Sequence, residues 1–229
     1  RRSDAQKGTP EPGEEVVLLG GDNYRIGMGG GAVSSVNTGQ YAGAIELNAV
    51  QRSNPEMQKR VENVIRTLSE SEDNPIISIH DHGAGGHLNC LSELVETTGG
   101  HFDLSAFPIG DETLSSKEII GNESQERMGL LVKGDAVERI ARIAERERAP
   151  MYVVGRTTDD MHLTFEEAGG DKPIDLALSD MFGSAPKTYM VDKHIDKTYP
   201  ALSYDAARVE HYLDEVLQQE GVACKDWLT

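Results

Sequence analysis

Short β-type apolar runs alternate with segments of helical periodicity along most of this chain of 229 residues. The runs EVVLL, PIISIH, ERMGLLV and PMYVV are rich in Val, Ile and Leu and too short for ordinary helices. This alternation predicts an α/β (α+β) sandwich in which helices pack on a sheet. The runs PMYVVGRT and MHLTF flank a polar turn at Thr158–Asp160 and predict adjacent, hairpin-like strands. Such a pair favours a mixed sheet over a purely parallel one.

Two of the predicted helices carry start signals. Asn54 suits the N-cap and Pro55 the first helical position. The apolar residues that follow at helical spacing are Met57, Val61, Val64, Ile65 and Leu68. Further along, Ser115 and Glu118 have the spacing of a capping box, which predicts a second, short helix.

Composition divides the chain into three segments. Residues 1–19 are predicted to be a linker, because most of them are charged residues, Pro or Gly, with the short strand EVVLL at the end. Residues 20–186 carry the alternating pattern and form the predicted domain. Residues 187–229 combine a polar connector with one amphipathic helix, ARVEHYLDEVLQQEGV, whose apolar face needs a partner. We interpret the chain as a piece of a longer protein and the last segment as leading to a further domain.

The net charge and the cysteine content argue against some classes of function and indicate a cellular compartment. A net charge of −17 argues against binding to nucleic acid or to an anionic membrane, because phosphates would be repelled. A small anionic ligand is compatible with this charge, since a local cluster of backbone N–H groups can hold one. Cys90 and Cys224 form no CxxC pair, and no apolar run approaches the length of a membrane span. We therefore expect a protein of the reducing cytoplasm.

The stretch NPIISIHDHGAGGHLNC (residues 74–90) places an acid between two histidines, where a predicted strand meets a glycine-rich turn. A zinc site is one interpretation, although a strand would point His80 and His82 to one face and Asp81 to the other. A carboxylate that only caps loop N–H groups is the second. In the third, Asp81 supplies a hard oxygen to Mg²⁺, while the loop Gly83–Gly86 approaches an anionic ligand at the next helix start.

A polar run, Asn122–Gln125, lies between a short predicted helix and an apolar strand. Such a run is usually a loop, but its side chains suit a neutral polar substrate such as an amide or a ribose. Glu126 and Arg127, at the strand start, are interpreted as a solvent-side pair. The loop Gly29–Gly31 lacks the pattern of a P-loop, so it carries no prediction by itself.

In combination and in this order, the segments IGMGGGAVSS, VQRSNPEM, HDHGAGG and NESQERM resemble phosphoribosylformylglycinamidine synthase in its large, multidomain form. The similarity runs from about Gly20 to Lys187. It implies a C-terminal-type domain of the aminoimidazole ribonucleotide synthetase superfamily, from the first half of the synthetase core. Members of this family use ATP and Mg²⁺ to phosphorylate the amide oxygen of formylglycinamide ribonucleotide in purine biosynthesis. Ammonia, released from glutamine in a separate domain, then displaces phosphate to give the amidine.

The resemblance also implies roles for individual residues. Asp81 matches the acid of the D-x-GAGG motif, which is a Mg²⁺ ligand in the family. Positions that contact the ribonucleotide substrate correspond here to Gln51, Glu123, Ser124 and Gln125. The candidates for phosphate contacts in the loop are Gly83, Gly85 and Gly86. No catalytic residue is expected in this segment.

The same resemblance implies partner domains, and the sequence also departs from the family pattern at two positions. The ATP-binding domain, the catalytic histidine region and the glutaminase nucleophile of the family have no counterpart here. The remaining synthetase and glutaminase domains of the same polypeptide are therefore the expected partners, and this piece alone is expected to be inactive. His82 and His87 stand where the family usually has a small or apolar residue and a Leu. A scaffold domain with a vestigial ligand site is the first alternative, and a zinc hydrolase is the second.

Overall fold

The structure is a computed structural model that describes residues 7–37, 39–49, 54–183, 186–193, 196–219 and 221–223. The chain divides into two compact units, Arg1–Ser184 and Ala185–Thr229. The first unit contains the sheet and the segments that the sequence marks as functional, and the second contains the connector and the last helix. A bilayer-spanning helix is absent from the described ranges, since none combines the necessary length with the necessary apolar character.

A mixed sheet forms the centre of the first unit. Its strands are β1 (Glu15–Leu19), β2 (Ile76–His82), β3 (Gly100–Asp103), β4 (Ser124–Val132), β5 (Met151–Thr157), β6 (His162–Glu166) and β7 (Ile174–Ala177). They lie in the order β2-β4-β1-β5-β3-β6-β7. Neighbouring strands are antiparallel, apart from the parallel pair β3 and β6.

Helices cover both faces of this sheet. The helices of the described residues are α1 (Gly30–Ser34), α2 (Gly43–Ala49), α3 (Pro55–Ser69), α4 (Gly86–Leu94), α5 (Ser116–Ile120), α6 (Val137–Glu147), α7 (Leu178–Met181) and α8 (Val209–Leu217). Helices α3 and α6 pack against each other and share one apolar core with the sheet, while α4 contributes to the other core. The predicted mixed sheet flanked by helices is therefore confirmed.

Strand β1 shows why the central apolar runs lack polar alternation. Val16 and Leu18 point into the core that contains α4, whereas Val17 and Leu19 point into the core that contains α3 and α6. All four side chains are fully buried, and burying each one contributes about 1.5–3 kcal/mol. A strand covered on both faces therefore has a continuously apolar sequence. The segment 1–19, predicted as a linker, thus contains a central strand of the sheet.

Both predicted helix starts have the expected hydrogen bonds. Asn54 Oδ1 accepts a hydrogen bond from Met57 N at 3.1 Å, and Pro55 is the first residue of α3. Ser115 and Glu118 form a reciprocal capping box at the start of α5. These caps satisfy N–H groups that the first helical turn leaves unpaired.

The predicted hairpin of β5 and β6 is wrong, because β3 lies between these strands. Gly100 of β3 pairs with Thr157 of β5 on one side and with Leu163 of β6 on the other. The connection between β5 and β6 instead wraps around Gly99, whose carbonyl accepts a hydrogen bond from Thr158 N at 3.0 Å. A Cβ at Gly99 would lie 2.6 Å from Thr158 Oγ1. Periodicity identifies strands but does not identify their neighbours, so the inserted strand leaves no local signal.

The second unit contains α8, the helix that the sequence predicts to be amphipathic. No described residue of α8 is buried. Its apolar residues are exposed, namely Val209, Leu213, Val216 and Leu217.

Helix α4 approaches β4 so closely that a glycine is required at the contact. A Cβ added to Gly129 would lie 2.5 Å from Cys90 Sγ and 3.1 Å from Leu94 Cδ1. We predict that Gly129→Ala destabilises the fold by about 1–3 kcal/mol through overpacking. In a Cys90→Ala background the penalty should be smaller, because the nearest atom is gone. Urea denaturation of the two single variants and the double variant measures both effects.

Gly169→Ala is the matched control, since a Cβ there would meet no atom within 4 Å. An equal cost of Gly129→Ala with and without Cys90 Sγ would contradict this account of the contact.

Candidate functional site

Three separate segments of the chain meet at the carboxylate of Glu123. This side chain is buried, with a relative exposure of 4%. Its two oxygens accept hydrogen bonds from Gly31 N at 3.2 and 3.1 Å, and Oε1 also accepts one from Gly85 N at 3.1 Å. The backbone N–H of Glu123 donates to Gly27 O at 3.0 Å. Glu123 thereby joins the first glycine loop (residues 27–31), the D-x-GAGG loop (residues 81–86) and the start of β4.

Two glycines in these loops are required by close backbone contacts. Gly27 has φ +73°, and a Cβ there would lie 2.2 Å from Glu123 O. Gly86 has φ +57°, and a Cβ there would lie 2.4 Å from Asn122 O. Any larger residue would both strain the backbone and separate the segments. The glycine content of the motifs therefore has a direct packing cause.

The predicted phosphate-loop residues lie at the site, but their N–H groups are already hydrogen-bonded within the protein. Gly83 N donates to Asp81 Oδ1 at 2.8 Å, and Gly86 N donates to Gly83 O at 2.9 Å. Gly85 N donates to Glu123, as described above. A phosphate that used these groups would first have to displace the protein's own acceptors.

Asp81 is exposed near the end of β2. His80 contacts Glu93 of α4, with 2.7 Å between Nδ1 and Oε2, and the His82 ring packs against His87 of the same helix. The two β2 histidines therefore face α4, and Asp81 faces away from it, as strand alternation predicts. Among the described residues, no group of three or more His, Cys, Asp or Glu side chains is arranged to hold a metal ion.

The donor set around Asp81 fits a particular kind of metal binding. A lone exposed carboxylate is a hard oxygen ligand but does not form a cage. Mg²⁺ commonly binds through one or two carboxylates together with water and substrate phosphates. The site thus fits a Mg²⁺ ion that arrives with a phosphate ligand, and Asp81 is the residue that would hold it.

The remaining predicted substrate contacts lie in different surroundings. Gln51 falls outside the described residues. Ser124 is buried and pairs with His82 between β4 and β2. Gln125 is exposed and lines a cleft of about 560 Å³ beside α3, together with Met128 and Arg66. The structure thus brings Glu123 together with the two glycine loops, while Gln125 faces the α3 cleft.

A buried polar cluster that the sequence did not reveal lies beneath the loops. Arg127, with 1% relative exposure, is the largest of the fully buried side chains. Its guanidinium contacts the ring of His87, with 3.3 Å between Nη1 and Nε2. The rings of His87 and His82 meet edge to face at 4.6 Å, and both are fully buried. The interpretation of Glu126 and Arg127 as a solvent-side pair is therefore wrong, because both side chains are buried, whereas the preceding residue, Gln125, is exposed.

The environment of the two buried histidines argues against a zinc site. Burial first, and the Arg127 guanidinium second, hold the pKa of His82 and of His87 well below its usual range. Burial lowers the pKa of Arg127 itself to about 10, so it stays charged at neutral pH. A fixed cation beside both imidazoles repels a metal ion. Within the described residues, His82 Nε2 and His87 Nδ1 have no hydrogen-bond partner.

These buried histidines predict a loss of stability in mild acid. Because the folded-state pKa lies below the unfolded value of about 6.5, the stabilising effect is present above that pH and declines as the pH falls below it. We predict that the free energy of unfolding drops between pH 7.5 and 5, and that His87→Leu makes the drop smaller. Each histidine contributes at most about 1.4 kcal/mol per pH unit.

Urea denaturation across this pH range measures the slope. The exposed His101→Leu variant is the control for removal of a histidine elsewhere. If His87→Leu leaves the slope unchanged, then protonation of this cluster does not limit stability in acid.

The fold is similar to that of solved structures of Thermotoga maritima PurL. The Thermotoga maritima PurL structure complexed with FGAR shares 24% identity with this chain and superimposes with a TM-score of 0.72, covering 91% of this chain and 35% of that one. The same protein complexed with ATP gives 20% identity and a TM-score of 0.65, with coverages of 92% and 33%. The chain thus spans about a third of the length of these relatives.

The likeness extends to a protein of a different role. Escherichia coli HypE, a hydrogenase maturation protein, shares 12% identity and has a TM-score of 0.51, with 74% of this chain and 51% of that chain covered.

Residues 11–167 match the family described as AIR synthase related protein, C-terminal domain. Because this match spans well over half of the chain, the chain belongs to the AIR synthase related family, and residues 11–167 are its C-terminal domain.

Proposed function

We propose that this chain is the C-terminal-type domain of the first half of the synthetase core of a phosphoribosylformylglycinamidine synthase. In this proposal the complete enzyme converts formylglycinamide ribonucleotide, glutamine and ATP to the amidine in the cytoplasm. The chain contributes contacts to substrate and to Mg²⁺, and the ATP-binding and glutaminase domains belong to other parts of the same polypeptide. The sequence predicts the substrate-binding domain at residues 20–186 and the connector and helix at 187–229, and we extend the proposed domain at its start to include β1, which belongs to the same sheet.

The convergence of three motifs on Glu123 is the observation that supports the proposal most strongly. The first glycine loop, the D-x-GAGG loop and the NES segment are far apart in sequence, yet the carboxylate of Glu123 in the NES segment accepts hydrogen bonds from both of the other two. These are three of the four segments that resemble the synthase, and one of them contains Asp81. A functional site assembled from such motifs explains why their glycines pack so closely. PurL relatives complexed with FGAR and with ATP add support through their similar fold.

Each group at the site has a proposed role. Asp81 holds Mg²⁺, which when bound would neutralise phosphate charge during activation of the amide oxygen. Glu123 and Ser124 shape the loops around the ribonucleotide, and Gln125 and Gln51 supply amide groups for the sugar or the reacting amide. Gly83, Gly85 and Gly86 allow the backbone to approach the ligand closely.

A scaffold domain with a vestigial ligand site is the second candidate. It is favoured by the fact that the N–H groups of Gly83, Gly85 and Gly86 are all satisfied by the protein itself. A loop without free donors resembles a structural turn rather than a phosphate cradle. The two candidates differ in what they require of Asp81.

The first test is the activity of the chain alone. We predict that the 229-residue chain shows no ATP hydrolysis that depends on formylglycinamide ribonucleotide, because the groups that bind ATP and release ammonia belong to other domains. A coupled assay for ADP release, run with and without the ribonucleotide, measures this. Robust ribonucleotide-dependent hydrolysis by the chain alone would show that it is a complete enzyme and not one domain of a larger synthase.

The second test substitutes Asp81 in the complete enzyme. Asp81→Asn keeps the Oδ1 acceptor for Gly83 N but removes the negative charge that a metal ligand needs. We predict a fall in kcat on the order of 100-fold, since metal charge stabilisation is worth several kcal/mol, with little change in thermal stability.

The exposed Asp135→Asn variant is the matched control. Unchanged turnover of Asp81→Asn would favour the scaffold domain over the metal-binding one.

A further inference from the structure

Arg127 is a buried cation whose guanidinium contacts Gly21, Asn122 and His87. Nε and Nη2 donate to Gly21 O at 3.2 and 3.1 Å. Nη1 lies 3.4 Å from both Asn122 O and Asn122 Oδ1. Within the described residues it forms no ion pair with a carboxylate, and burial outweighs the charge of Glu126 in setting its pKa. Burying such a charge is costly unless its hydrogen bonds are well placed.

We propose that Arg127 is a positioning residue that fixes three segments of the candidate site relative to one another. Gly21 begins the chain that leaves β1 toward the first glycine loop. Asn122 directly precedes Glu123. His87 lies in the first turn of α4, directly after the D-x-GAGG loop. One planar guanidinium therefore contacts a residue next to, or on the same stretch of chain as, each of the three segments that Glu123 joins.

Asn122 extends this support into the first glycine loop. Its Nδ2 donates to Tyr24 O at 2.7 Å and to Ile26 O at 3.0 Å. Because the Asn122 amide nitrogen is used in this way, its Oδ1 is directed toward Arg127. The chain of contacts runs from Arg127 through Asn122 to residues 24–26, which lead directly to Gly27. A change in the position of the guanidinium is thereby passed to the backbone that Glu123 contacts.

The tautomer of His87 follows from its neighbours. Asn23 Nδ2 donates to Pro108 O at 2.7 Å, so Asn23 Oδ1 is the atom that faces His87 Nε2 at 3.0 Å. Nε2 of a neutral imidazole must then carry the proton and donate to Asn23 Oδ1. It has no lone pair left for Arg127, so Nη1 is directed to Asn122. The neutral ring packs beside the guanidinium and keeps it between Gly21 and Asn122.

The shape of the side chain matters as much as its charge. A guanidinium presents several donors in a rigid plane, whereas a lysine ammonium is a single point on a flexible stem. Lysine at this position keeps a cation but cannot reach Gly21 and Asn122 with separate nitrogens. Arg127→Lys therefore isolates the positioning geometry from the charge, and Arg127→Met removes both.

Amide hydrogen exchange on the whole chain tests the proposal. If Arg127 positions the loops, Arg127→Lys accelerates exchange of the Gly31, Gly85 and Glu123 amides by at least about tenfold, because their hydrogen bonds depend on the loop geometry. Amides of α6 and β6 should change by less than about twofold. The exposed Arg142→Lys is the matched control and should change neither set.

Three outcomes of this experiment overturn the proposal. Equal acceleration of all amides means that Arg127 stabilises the fold as a whole, and no acceleration means that the loops hold their positions without it. If Arg127→Met does not fold, the Lys variant decides between these results alone. A Lys variant that also fails to fold counts as loss of the whole domain and overturns the proposal.

The consequence for turnover rests on the proposed function. In the complete synthase, Arg127→Lys should raise KM for formylglycinamide ribonucleotide more than it lowers kcat, and Arg142→Lys should change neither. If the wild-type enzyme does not turn over this substrate, the proposed function fails while the exchange result still decides the role of Arg127. Normal exchange with altered kinetics would instead indicate a direct contact with substrate and overturn the positioning role.

Discussion

The buried carboxylate of Glu123 is the interaction on which the geometry of the candidate site depends. It accepts hydrogen bonds from Gly31 N and Gly85 N, two N–H groups at or next to helix starts. Such positions favour negative charge, because unpaired N–H groups and the helix dipole both point toward it. Glu123 thus fills, from within the protein, the kind of position where an anionic ligand would bind. Glycines are required around Glu123 because both loops must come close enough to donate hydrogen bonds to this one side chain.

The sheet provides the rigidity that this arrangement needs. β2 delivers Asp81 and His82, and β4 delivers Ser124 and Arg127, so the site is built on two paired strands that also belong to the core. Their pairing is irregular at this end: Asp81 pairs with Met128, but the next residue, His82, pairs with Ser124. The register therefore shifts between Asp81 and His82, and residues 125–127 of β4 are left without a partner residue on β2. That irregularity lets Glu123 face the loops while Arg127 turns into the cluster beneath them.

Much of the fold could be read from the sequence because its signals are local. The caps at Asn54 and Ser115 each lie within one helical turn, and β1 is marked by its own apolar residues. The neighbours of β5 could not be predicted, because the insertion of β3 depends on contacts across some 60 residues of chain. The motif around Asp81 could be recognised in the sequence, and its role as a Mg²⁺ ligand stays a prediction, whereas Arg127 beside Glu126 looked like an ordinary surface pair. Only the packing of α4 and of the chain at Gly21 against Arg127 shows that it is buried, and both are distant from it in sequence.

The occupied loop donors constrain how an anionic ligand could bind here. With Gly83, Gly85 and Gly86 already hydrogen-bonded, a phosphate gains no free N–H groups unless the loops rearrange. It would also meet the negative charge of Asp81 in a protein of net charge −17. A phosphate accompanied by a divalent cation avoids both difficulties, because the cation binds the exposed carboxylate and neutralises the ligand at once. If the proposed function holds, the site therefore favours ligands that arrive as metal complexes over free phosphate, and the charge of Asp81 contributes more to their binding than the glycine N–H groups do.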